Sequence, residues 1–91
     1  MKYIVIIMSS GNFTILTKDF AGNERSVNIN PSSTIFEIKE CICQQLWGNT
    51  NDVDNIELSY RGKYLRDSND FEIYNIPEYD RICIIVSVRG D

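Results

Sequence analysis

Histidine is absent from this chain of 91 residues, and cysteine (three) and proline (two) are scarce. Without histidine no Ser–His or Cys–His nucleophile system can be assembled, and a cysteine zinc site lacks its usual nitrogen ligand. The cysteines do not make up the deficit. Cys41 and Cys43 stand two apart on a predicted helix, where neighbours at that spacing point in different directions. An odd count also completes no disulfide framework, so reduced thiols in a cytoplasmic or nuclear compartment are expected, with no metal and no other cofactor. Long apolar runs are missing as well. The opening MKYIVIIM holds six consecutive apolar residues, fewer than the roughly 7–15 of a signal-peptide core and the roughly 20 of a membrane span. It reads as a strand. Positive charge is not in excess: nine Lys and Arg face thirteen Asp and Glu, a net of −4. Such a chain lacks the basic patch that displaces counterions from nucleic acid, and an anionic membrane is disfavoured for the same reason. There is no phosphate-binding glycine loop and no paired-carboxylate pocket signature, which leaves an enzyme as the least favoured class.

What is present is one helix set among strands. In SSTIFEIKECICQQLWG, residues 32–48, the apolar positions Ile35, Ile38, Ile42 and Leu46 recur at helical spacing, with Cys41 beside Ile42. Thr34 as N-cap and Glu37 three residues on form a capping box, and Gly48 suits the left-handed position just past the helix end. A single amphipathic helix with β-rich sequence on both sides needs a sheet to cover its stripe. Phe13–Lys18 reads as a strand with Phe13, Ile15 and Thr17 on one face. Ala21-Gly22-Asn23 reads as a hairpin turn, where Gly22 and Asn23 tolerate positive φ, and Arg25–Asn30 as a strand with Val27 and Ile29 inward. Asn49–Asn55 is polar and turn-rich, hence a loop. Ile56–Tyr60 is a short strand, Arg61-Gly62-Lys63 a turn, Tyr64-Leu65 a stub, and Asp67–Glu72 a polar crossover. Tyr74-Asn75-Ile76-Pro77 is a tight, irregular segment. Arg81–Val88 is apolar enough for a central strand buried on both sides. The expected fold is α+β, a β-grasp in which a mixed four- to five-stranded sheet packs on one helix.

At these residues the chain resembles the ubiquitin family over about residues 13–90. Pro31, Thr34, Ile35 and Lys39 stand at the family's Pro, Thr, Ile and helix lysine, and Gly62-Lys63-x-Leu65-x-Asp67 is similar to its G-K-x-L-x-D hairpin. Tyr74-Asn75-Ile76 matches its Tyr-Asn-Ile, and Val88-Arg89-Gly90 resembles the start of its tail. The resemblance implies a ubiquitin-like domain over residues 13–88, an exposed tail at 89–91 and an N-terminal extension at 1–12. It also implies two structural contacts. Lys39 should form a partly buried ion pair with Asp67, and the Tyr74 hydroxyl should bond back to backbone near Arg66.

The functional surface of the family is altered here. Its apolar patch of Leu, Ile, His and Val corresponds to Phe20, Ser59, Cys83 and Ile85. Phe20 and Ile85 keep an apolar rim, but Ser59 replaces the central isoleucine. Losing that side chain costs about 2 kcal/mol in a receptor pocket built for it, so receptors of the standard patch should bind weakly. Glu57 stands where the family has an arginine, and Ser87 at the tail arginine that activating enzymes read, which weakens or reverses recognition by acidic pockets. The terminal Gly-Gly becomes Gly90-Asp91. An aspartate side chain should not fit the narrow channel in which the glycine carboxylate is adenylated, so the chain is not expected to be conjugated unless removal of Asp91 leaves Gly90 terminal. Arg89-Gly90-Asp91 also spells an integrin-type tripeptide, taken here as coincidence. Lys63 and Lys18 match lysines to which the family attaches further copies.

The extension carries a sticky YIVIIM, residues 3–8. The strand next to it in sequence already has two neighbours in a ubiquitin-type sheet, so the segment must reach the open edge of Arg25–Ile29, pair with a second molecule as a dimer contact, or stay loose. Three functions follow: a non-catalytic binding module in or near the ubiquitin pathway with proteins as partners, a modifier attached through Gly90, and, ranked lower, a sulfur carrier serving an enzyme.

Overall fold

The structure, a computed structural model, describes residues 12–86. The arm before Asn12 and the tail residues Ser87, Arg89, Gly90 and Asp91 lie outside the described residues, as does the 3–8 segment with its edge-pairing and dimer readings.

Strands β1 (Phe13–Lys18) and β2 (Glu24–Ile29) form an antiparallel hairpin in which Phe13 faces Ile29 and Lys18 faces Glu24. Alternation sends Ile15, Thr17, Val27 and Ile29 into the core. The Thr17 hydroxyl is satisfied there by donating to the Arg25 carbonyl at 3.1 Å. The turn is organised by Asp19, whose carboxylate accepts from the amides of Ala21 and Asn23, each at 2.9 Å. Of the two residues that tolerate positive φ, Gly22 adopts it, at +88°, and Asn23 does not. Its amide and side chain are both drawn to Asp19 instead. These donors, the Asn23 amide foremost, hold the Asp19 carboxyl below its ordinary range.

Helix α1 (Ile35–Trp47) begins at Thr34 with both halves of the capping box formed and stops at Gly48, φ +78°. The amides the cap does not reach are met by the crossover: Ile35 donates to the Asn69 carbonyl at 2.8 Å and Phe36 to that of Asp67 at 3.1 Å. Ile35, Ile38 and Ile42 are fully buried, as read. The fourth member of the buried stripe is Cys43, while Cys41 is half-buried at its flank. At 3.6 residues per turn Cys43 and Cys41 lie about 100° to either side of Ile42, and the side that carries Cys43, and Lys39 with it, is the one buried against the sheet.

The sheet has the order β2-β1-β5-β3-β4, with β5 (Arg81–Val86) parallel to β1 and the other pairs antiparallel. It is the expected β-grasp. Strand β5 is central in position, but its burial corrects the sequence reading. Ile82 and Ile84 are buried, whereas Cys83 is exposed, Ile85 half-buried and Val86 45% exposed. One helix covers one face, and no second layer among the described residues covers the other. The turn between β3 (Ile56–Tyr60) and β4 (Lys63–Tyr64) uses two residues of positive φ, Arg61 at +53° and Gly62 at +81°. Lys63 therefore opens β4, and Leu65 leaves the strand to enter the core.

Two short 3-10 turns lie in stretches that read as polar. Val53–Asn55 buries Val53, and Phe71–Tyr74 buries Phe71, whose ring meets Phe13 edge-on at 5.7 Å. A lone apolar residue in a polar stretch carries no period, which is why sequence alone gives no sign of either.

Candidate functional site

Register fixes which side chains share the uncovered face. Lys18 is level with Cys83, Cys83 with Ser59, and Ser59 with Tyr64, making one row across β1, β5, β3 and β4. Their chain neighbours Thr17, Ile82, Ile84 and Leu58 point into the core, so Lys18, Cys83 and Ser59 point out. Two residues further along, Ile85 is level with Glu57. Phe20, carried by the β1–β2 turn, is 85% exposed. The four patch positions named from sequence, Phe20, Ser59, Cys83 and Ile85, thus meet in one open concavity that Lys18 and Gly62 also line. Its middle is made by the small residues Ser59 and Cys83, and its apolar walls are Phe20 and Ile85.

The rim is charged. Lys18 stands on the β1 side and Glu57, half-buried, on the β3 side. Neither has an ion-pair partner among the described residues. Lys63 is exposed on the edge strand β4, so both lysines named from sequence are accessible.

Sequence reasoning missed the device that sets this face. Asp80, just before β5, accepts a hydrogen bond from the Tyr60 hydroxyl at 2.6 Å and one from the Arg81 amide at 2.8 Å. The Arg61 guanidinium lies 5.2 Å from the centre of the Tyr60 ring and 3.7 Å from Asp80. The Tyr60 hydrogen bond is the main cause that holds the Asp80 carboxyl below its ordinary range and pushes the Tyr60 phenol above its own. The β3–β4 turn is thereby tied to the start of β5, fixing Ser59 and Gly62 against Cys83. Twenty residues separate Tyr60 from Asp80, and no local pattern links them.

The two structural contacts form as expected. Lys39 Nζ lies 2.9 Å and 3.2 Å from the Asp67 carboxylate oxygens, its side chain 3% exposed and that of Asp67 47%. The Tyr74 hydroxyl accepts from the Arg66 amide at 2.9 Å and from the Asn69 side chain at 2.9 Å. Burial pushes the Cys41 and Cys43 thiols up, making both weak nucleophiles near neutrality. Among the described residues no group of three or more Cys, Asp or Glu could hold a metal ion.

No curated protein matches this sequence. Among solved structures, the crystal structure of the UBL domain of Plasmodium falciparum Dsk2 superposes with a TM-score of 0.70 at 23% identity, covering 82% of this chain and 97% of that one. The sequence profile of the ubiquitin family matches residues 13–89. With a match over most of its length and the fold to go with it, the chain belongs to the ubiquitin family.

Proposed function

We propose that this domain is a non-catalytic protein-binding module in or near the ubiquitin pathway, that its contact face is the uncovered side of the sheet around Phe20, Ser59, Cys83 and Ile85, and that it is not itself conjugated. The observation that carries the reading is Phe20, held 85% exposed at the lip of a concavity with a second apolar wall at Ile85. An exposed aromatic beside a concave apolar surface is the usual form of a protein contact site. Asp91 at the position of the family's second glycine supports the absence of conjugation, since it interrupts the Gly-Gly pair on which the family's activation chemistry acts. The three cysteines are thiols and not cystines, which supports a reducing compartment, cytoplasm or nucleus. A second reading, a modifier joined to its targets through Gly90 once Asp91 is removed, is favoured by the retained Arg89-Gly90.

The face is tested with the tagged full chain expressed in its own cells. Proteins retained by the wild type should be lost from Phe20→Asp, while amide spectra of the variant stay unchanged away from the β1–β2 turn. Retention of every one of those proteins by Phe20→Asp would overturn the assignment of the face.

A further inference from the structure

We infer a second docking site, on the helix side of the sheet at its β4 edge. Its occupant is an extended acidic segment of another protein, with Asp or Glu two residues from Leu, Ile or Phe. The site lies away from the face proposed above and does not rest on it. Leu58 is buried on the helix side, so Tyr60, two residues on, faces that side, and so does Lys63, level with Tyr60. Together with Arg61, Leu65, Ile73 and Tyr74 they line a groove of about 290 Å³. Leu65 is buried and forms its base, whereas Ile73, on the 3-10 turn Phe71–Tyr74, is 58% exposed. An apolar side chain seated there takes surface out of water that the fold leaves open.

Charge selects the chemistry of the occupant. The groove carries two cations, Arg61 and Lys63, and no carboxylate, in a chain whose net charge is −4. Lys63 has no ion-pair partner among the described residues. Arg61 is loosely held: its ion-pair oxygen on Asp80 is 3.7 Å away, and its side chain is mostly exposed. A guanidinium beside the Tyr60 ring still offers its outer N–H groups to a carboxylate.

The edge selects the conformation. Strand β4 is last in the sheet and pairs only with β3 among the described strands. Leu65 donates to the Leu58 carbonyl at 2.9 Å, so the neighbouring pair Ser59–Tyr64 is of the kind without mutual hydrogen bonds. The Tyr64 amide and carbonyl therefore point away from β3. An extended segment satisfies both by adding as a strand. Its residue opposite Tyr64 faces the open side of the sheet, and the residues before and after it face the groove, about 7 Å apart. One is then level with Lys63, which suits Asp or Glu, and the other with Leu65, where an apolar side chain meets Ile73.

The probe is a library of random linear peptides displayed on phage and selected against the full chain. Selection should enrich Asp or Glu two positions from Leu, Ile or Phe. Individual peptides should weaken about tenfold with Lys63→Glu and recover when their own acid is changed to Lys. They should also weaken about tenfold with Ile73→Asp. On binding, deuterium exchange at the Tyr64 amide should slow, and amide shifts should centre on Tyr64, Leu65 and Ile73. Peptides that bind both variants as well as the wild type, or that leave Tyr64 exchange unchanged, would overturn the inference. Shifts centred instead on Phe20 and Cys83, or no enriched peptide at all, would overturn it too.

Discussion

Single side chains decide both the stability of the fold and the shape of its exposed face. Lys39 is almost wholly buried and its ion-pair partner among the described residues is Asp67, so the two should respond unequally to removal. Asp67→Ala strands a buried cation and should cost roughly 2–4 kcal/mol in urea unfolding, the lower end reflecting how exposed Asp67 is. Lys39→Met fills similar volume without charge and should cost markedly less. Asp80 and Tyr60 make a pH prediction. Asp80 titrates in the folded state below its reference value of 3.8, so its contribution is present above that pH and is lost as pH falls through the folded value. Tyr60 titrates above its reference of 10.0, so its contribution is present below that pH and is lost as pH rises through the folded value. Thermal melts across pH should show Tyr60→Phe flattening both the acid and the alkaline limb; unchanged limbs would contradict the assigned hydrogen bond. At this scale the sequence was informative only through family motif. Lys39 and Asp67 stand 28 residues apart, and it was the G-K-x-L-x-D resemblance, not any local periodicity, that paired them. Asp80 belongs to no such motif and was missed.

Among the elements, the helix was the most legible because its signals are local. Thr34, Glu37 and Gly48 act within a few residues of where they stand, and each takes the expected part. What sequence does not show is how α1 treats the sheet edge beside it. Strand β2 pairs on one side with β1. At Asn28 the other side is occupied by the Gln45 side chain, which accepts from the Asn28 amide at 3.1 Å and donates to its carbonyl at 2.7 Å. Those are the two bonds an added strand would make, so α1 blunts this edge at one point. Gln45→Ala should open it: exchange of the Asn28 amide with deuterium should accelerate while that of Ile29, paired to β1, stays slow. Equal rates in the variant and the wild type would show that something else covers the edge. The reading of β5 failed for the opposite reason. Its apolar run implies burial on both faces, but burial depends on how many layers cover the sheet, and among the described residues one helix covers one face.

On the scale of the whole molecule, the described residues build a single helix-on-sheet layer and leave the far side of the sheet open, and registers across β1, β5, β3 and β4 collect the family's patch positions there. That collection was legible by position, since all four residues named from the resemblance meet in one concavity. Its cupped shape was less so, because it depends on how Tyr60, Arg61 and Asp80 hold the β3–β4 turn against β5. This ubiquitin-family domain keeps the fold and, as proposed above, binds through an altered face without being attached to its partners. The most direct test is the intact mass of the protein recovered from its own cells under denaturing conditions. The account predicts no species joined to another protein through its own C-terminal carboxylate. Adducts joined through the carboxylate of Gly90 would contradict it and make the domain a modifier.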